Sequence, residues 1–207
     1  MLAGYTEDFM VRWYHAIFTA YGFWLPNDPR GSWSTFVAAW ELLKFGPATK
    51  VDGKQSRAHL PHDFHTRHQA KLALKYPPVR FDETQRAAIA LGIAQACNES
   101  KIILHGCAIG FDHVHVVVAR HVKTIEQIVG QFKGRSSQQM RAARCHPMEA
   151  FGPAGRVLHS PWSEGCWSVF INDAAQLRRA VEYVRRHPEK EGLPDQRWSF
   201  VTPFSPV

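Results

Sequence analysis

Apolar and polar positions alternate most sharply in DHVHVVVA, residues 112–119. Side chains two apart in a β-strand share a face. The pattern therefore predicts a strand that buries Val114, Val116 and Val118 on one side and presents His113 and His115 together on the other. A preceding strand at about 101–109 would join it through a tight Gly110-Phe111 turn, as in a hairpin. Upstream, RWYHAIFTA at 12–20 reads as a first strand, and YGFWLPNDPRGSW as a loop punctuated by Pro26, Pro29 and Gly31. Helices are expected at about 82–98, with Ile89, Ile93, Ala96 and Cys97 near the apolar face, and at about 123–143. A Pro/Gly loop and a short strand near 166–170 then lead into NDAAQLRRAVEYVRRHPEKEGL. There Asn172 or Asp173 supplies an N-cap, and Leu177, Val181 and Val184 recur at helical spacing. Pro188 disfavours helical geometry at His187, so this helix should end there. Residues 34–80 read as an insertion: a short helix near 36–43, then a polar stretch marked by Gly and Pro.

The element order β-α-β-β-α-β predicts an α+β, ferredoxin-like (RRM-like) sandwich, an antiparallel sheet covered by helices. At 207 residues the chain reads as one domain, residues 1–207, carrying the insertion at about 34–80. No apolar run approaches the ~18 residues of a membrane span and no signal peptide is visible, so a cytoplasmic protein is expected. The four cysteines, Cys97, Cys107, Cys145 and Cys166, lack C-x-x-C spacing, which supports neither a disulfide framework nor a zinc ribbon.

Two imidazoles presented side by side by a rigid strand make half of a divalent-metal site. Downstream, Tyr183 and His187 are four apart, one above the other on a helix face. A tyrosine one turn before a histidine, facing a His-x-His strand, offers a nucleophile and a third ligand for breaking a phosphodiester bond. Taken alone, Tyr183 also fits a structural reading, its ring packed beside Val184.

The DHVHVVV strand, the basic segment IVGQFKGRSSQQM, the stretch WSEGCW and the helix LRRAVEYVRRHPEKEGL occur in the order of the one-tyrosine HUH transposases (His, hydrophobic, His). The chain resembles most closely the REP-associated tyrosine transposases, through YVRRHPEKEGL and TAYGFWLPNDPRGSW, over most of residues 12–204. The resemblance implies the same ferredoxin-like fold of HUH-endonuclease type, His113 and His115 as metal ligands, and Tyr183 as the nucleophile that becomes joined to DNA through a 5′-phosphotyrosine. One turn after the tyrosine the family usually carries a side-chain amide that often completes the metal site. Here that position is His187, a departure that preserves ligand capacity and favours manganese, or zinc, over magnesium. The expected cofactor is a divalent ion, Mg2+ or Mn2+. The expected partner is single-stranded or hairpin DNA, bound by a monomer or a homodimer.

Charge fits a nucleic-acid partner. The formal net charge is +7, and residues 120–160 hold seven Lys/Arg against two Asp/Glu. Lys123, Lys133, Arg135, Arg141 and Arg144 of that stretch are the candidate phosphate contacts, against the alternative of a solvated basic helix face. Arg30 joins them from the aromatic loop containing Tyr21, Phe23, Trp24 and Trp33, whose rings either stack on unpaired bases or pack over the sheet edge. His59, His62, His65 and His68 recur every three residues, but Pro61 interrupts the spacing and three-residue steps drift around a helix, so a surface or phosphate-adjacent segment is the reading. The expected activity is metal-dependent cleavage and rejoining of single-stranded DNA beside a hairpin. The competing readings are a rolling-circle initiator or relaxase with the same chemistry, and a domesticated nucleic-acid-binding protein without activity.

Overall fold

The computed structural model describes residues 12–26, 37, 40–48, 61, 63–152 and 159–204. Four strands form one sheet: β1 (Trp13–Thr19), β2 (Leu104–Ile109), β3 (His113–Ala119) and β4 (Trp167–Ile171), in the order β2-β3-β1-β4 with every pairing antiparallel. Helix α2 (Glu83–Ser100) connects β1 to β2, and α3 (Ile125–Ala142) connects β3 to β4. This is the ferredoxin-like arrangement expected from the element order. Both crossover helices start where the sequence supplies a capping box: Asp82 with Gln85, and Thr124 with Gln127. Lys101, in the left-handed region at φ 56°, ends α2, so the second strand begins at Leu104 rather than near 101.

The two faces of the sheet are covered differently. On one face Ala16 and Phe18 of β1 and Val114, Val116 and Val118 of β3 are fully buried against α2 and α3, with Ile89, Ile93, Ile128 and Phe132. Each fully buried valine stabilises the fold by about 1.5–3 kcal/mol relative to exposure. On the other face lies α4 (Ala174–Arg185), whose Leu177 and Val184 pack on Ala108, Val117 and Ile171. The chain breaks helix at Arg186 and resumes as the single turn α5 (His187–Lys190), with Pro188 in its first turn, where a missing N–H costs nothing. The segment after α5 closes the outer edge of β2: Gln196 bonds both Ile109 N and Ile109 O at 2.8 Å, and Thr202 N donates to Leu104 O at 2.7 Å.

Between β1 and α2 the described residues contain a 3-10 segment, Trp40–Phe45, and helix α1 (Phe64–Leu72). The segment falls later than the short helix expected near 36–43, part of which lies outside the described residues. Helix α1 occupies a stretch read as irregular; Asp63 caps it, accepting from Thr66 N. It is held through Ala70, which packs with Leu25 and Leu42. Among the described residues no helix is long and apolar enough to cross a membrane.

Candidate metal and tyrosine site

The pleat of β3 turns His113 and His115 toward α4, away from the valine face, as the alternation predicts. Helix α4 is anchored at its start by Asp173, which accepts from Gln176 N at 2.7 Å, and along its length by buried Leu177 and Val184. This anchoring carries Tyr183 over the histidines and brings His187 down into the sheet surface. His187 Nε2 lies 2.7 Å from His113 Nε2, and the His115 and His187 rings are 4.1 Å apart at their centroids. One donor atom from each of His113, His115 and His187 falls within 4.8 Å of the others. The two strand histidines and the helix histidine, far apart in sequence, are thus one cluster in space.

Each strand histidine has a partner on its second ring nitrogen. His113 Nδ1 donates to Asp112 Oδ1 at 2.8 Å, which leaves Nε2 with its lone pair. His115 Nδ1 is 3.1 Å from His15 Nε2 on β1; donation in that direction frees His115 Nε2 likewise. Second nitrogens held this way fix the tautomer and ring orientation of metal-binding imidazoles. The two Nε2 atoms face each other at 2.7 Å, so a neutral His187 protonated at Nε2 donates to His113, and loss of that proton leaves both lone pairs turned toward one point. His187 Nδ1 is buried without a hydrogen-bond partner.

Electrostatics keep these rings in the ligand form. His115, only 2% exposed, is pushed well below its ordinary range by burial and then by neighbouring His113, His15, His187 and Lys190. His187 is lowered to about 4 by burial and then by His113 and Lys190. Burial also lowers His15 to about 4. At neutral pH these three imidazoles are uncharged, as coordination requires. Three nitrogen donors fit a divalent ion, and a second metal-capable group, Asp112, His113 and Glu191, shares His113 with them.

Tyr183 is 43% exposed at the edge of this cluster. Its ring centroid is 5.6 Å from His115, 5.8 Å from His187 and 5.9 Å from His15, and Lys190 Nζ sits 4.2 Å from it. Burial raises the phenol pKa, so the tyrosine is not activated by its surroundings alone. Arg178, Arg179, Glu182, Arg186 and Lys190 line an open cleft of about 510 Å³ beside it. Four cations to one carboxylate make this cleft a suitable bed for phosphates.

The cations singled out between residues 120 and 160 lie elsewhere. Helix α3 covers the sheet face opposite the histidines, so its residues do not border the cluster. Lys133 turns inward: Nζ donates to Ser163 O at 2.6 Å and Gly165 O at 2.5 Å, and burial lowers its pKa to about 8. Arg135 pairs with Glu99 at 2.8 Å, and Lys123 Nζ donates to Ser100 Oγ at 3.0 Å. Arg141 and Arg144 are exposed. Arg30, Trp33, His59 and His62 lie outside the described residues, while Trp24 is half-buried and Phe23 packs 5.6 Å from the His113 ring. His65 and His68 are exposed on α1 and join neither of the metal-capable groups found among the described residues.

The residues missed by sequence reasoning are His15, Lys190, Glu191 and the arginines of α4. Asp112 was legible as the neighbour of His113 in DHVH, but the role of His15 depends on strand register. Ile17 lies opposite His115 on the adjacent strand, and His15 opposite Val117, so the two histidines meet diagonally on one face.

By structure the chain is similar to a REP-associated tyrosine transposase bound to a REP hairpin, at 11% identity and a TM-score of 0.46, covering 96% of this chain and 81% of that one. It is also similar to a protein from Deinococcus radiodurans R1 described provisionally as a transposase, at 13% identity and a TM-score of 0.38, covering 88% and 96%. No curated protein matches the chain. The model of the IS200-like transposase family matches residues 71–187, more than half of the sequence and a span that includes both strand histidines, Tyr183 and His187, so the chain belongs to the IS200-like transposases.

Proposed function

We propose that this protein is a metal-dependent single-stranded DNA endonuclease and strand transferase that cleaves beside DNA hairpins through a 5′-phosphotyrosine intermediate. The observation that carries the reading is the meeting of Tyr183 with three clustered imidazoles, its ring 5.6 Å from His115 and 5.8 Å from His187. A nucleophile that is poor at neutral pH stands beside a donor set able to hold a divalent ion.

His113, His115 and His187 would hold the ion, with Asp112 and His15 fixing the strand imidazoles. Bound there, a divalent ion supplies Lewis-acid polarisation of the scissile phosphate. The Tyr183 oxygen attacks phosphorus as its proton leaves to solvent. The P–O3′ bond breaks, the departing 3′ oxygen takes up a proton, and a 3′-OH and a tyrosyl phosphodiester remain. Attack of another 3′-OH on that ester reverses the bond changes and joins strands without an external energy source. Arg178, Arg179, Arg186 and Lys190 would hold the flanking phosphates in the cleft beside Tyr183. Helix α4 packs on its own sheet through Leu177 and Val184, which supports a tyrosine that serves its own subunit. DNA as substrate agrees with the reading of a cytoplasmic protein.

The test is incubation with labelled, hairpin-bearing single-stranded DNA and Mn2+ or Mg2+, followed by a denaturing gel. A covalent protein–DNA band, lost with EDTA and in Tyr183→Phe, is the expected result. Cleavage by Tyr183→Phe at the wild-type rate refutes the mechanism.

A further inference from the structure

The cluster contains a carboxylate that the nucleophile-and-histidine reading does not use. Glu191 follows His187 by four residues, so the turn of α5 returns it to the same side as the imidazole. Its side chain, 19% exposed, is fixed from two directions. Oε2 accepts the backbone N–H of Phe111 at 3.2 Å. Gly110 leaves room for it: a Cβ there would collide with Glu191 Oε2 and stand 3.1 Å from Glu191 Cδ and His113 O. The other oxygen, Oε1, lies 3.9 Å from His187 Nε2; its 3.7 Å neighbour on His113 is Nδ1, the nitrogen hydrogen-bonded to Asp112.

Those separations are too long for hydrogen bonds. The His187 separation is the one expected of two donors on one ion, since ligands bonded at about 2.1 Å sit roughly 3–4 Å from each other. Three imidazoles alone form an all-nitrogen, uncharged set of the kind that suits zinc. One carboxylate oxygen adds a negative charge and a hard donor, which suits Mn2+ and Mg2+. Resting on the metal-dependent reading above, we propose that Glu191 is the oxygen ligand of the metal centre, held for that role by the Phe111 N–H and the bare backbone of Gly110.

The competing account is structural: Glu191 accepts the Phe111 N–H and braces the β2–β3 turn. Glu191→Gln separates the two, because the amide oxygen still accepts that N–H but carries no charge. Mn2+ binding is measured at pH 7.5 by titration calorimetry and by the electron paramagnetic resonance signal of free Mn2+, without DNA. Glu191→Gln is expected to weaken Mn2+ binding by about 10–100-fold, to reduce Zn2+ binding less, and to leave the melting temperature in EDTA unchanged. Glu191→Asp, which keeps the charge but shortens the side chain, is expected to weaken Mn2+ binding as well, and gives the answer where the glutamine protein does not fold. A Mn2+ dissociation constant within twofold of wild type in Glu191→Gln, with binding abolished in His115→Ala, overturns the role of Glu191 while leaving the histidine centre intact. Unchanged binding in His115→Ala, or no binding by the wild type, overturns both.

Discussion

Gly92 sits in the middle of α2, where glycine is a poor helix former, and the structure supplies the reason for it. A Cβ built there would stand 2.6 Å from Arg135 C, and closer still to Ser136 Cα and N, all backbone of α3. Nothing in that contact is a flexible side-chain end, so a methyl group is accommodated only by moving the helices apart. Carbon atoms prefer about 3.5 Å or more, so the helices would separate by roughly 1 Å. The separation would also stretch the Ser136 Oγ bond to Ile89 O, already 3.3 Å long. Overpacking of this kind costs about 1–3 kcal/mol, and a rigid backbone contact belongs at the upper end. Alanine regains about 1 kcal/mol of helix propensity over glycine, so Gly92→Ala should destabilise by about 2 kcal/mol. For a chain of this length that lowers the melting temperature by about 4–8 °C. Gly130 and Gly134 on α3 supply the control, since a Cβ at either meets nothing within 4 Å. Gly130→Ala should raise the melting temperature by about 2–4 °C through propensity alone. Calorimetry on the three proteins decides the matter; a Gly92→Ala protein melting at or above the wild type refutes the packing argument. Because α2 and α3 lie on the sheet face away from the histidines, Gly92→Ala should keep its Mn2+ affinity at 25 °C.

Two further outcomes follow from buried histidines and surface charge. His15, His146 and His187 are each lowered to about 4 from an ordinary 6.5, mainly by burial. Below pH 6.5 the unfolded chain takes up protons that the folded chain refuses, so metal-free stability is level above pH 6.5 and falls as the pH drops toward 4. Each histidine should withdraw up to about 2 kcal/mol by pH 5, and a urea midpoint unchanged between pH 7.5 and pH 5 refutes this. Affinity for single-stranded DNA should fall with salt, and Gln at Arg178, Arg179, Arg186 or Lys190 should flatten the log–log slope by up to ~0.7 per residue. Gln at Arg141 or Arg144, on the opposite layer, should change it less; fluorescence anisotropy titrations in increasing NaCl check this, and the reverse ranking removes the cleft as the path of the strand.

The sequence by itself determined what depends on local periodicity and local stereochemistry. Alternation over 112–119 settled which side of β3 is buried and that His113 and His115 share a face, because pleating is intrinsic to a strand. The four-residue step from Tyr183 to His187 settled their common side, because a helix fixes that geometry whatever it packs against. Asn172 or Asp173 marked the start of α4, since a cap is a bond between near neighbours in the chain, and Asp173 forms that bond. Only the tertiary structure decided what depends on register and layering. His15 reaches His115 because β1 pairs antiparallel with β3 in one particular register, across 100 residues of chain. Lys133 and Arg135 looked like phosphate contacts by charge, yet α3 packs on the far face of the sheet and turns both to protein partners. The cations beside Tyr183 were masked in sequence by the acidic residues interleaved with them on α4 and α5. A linear charge count averages over residues that a helix separates onto different sides, and only packing reveals which side faces the site.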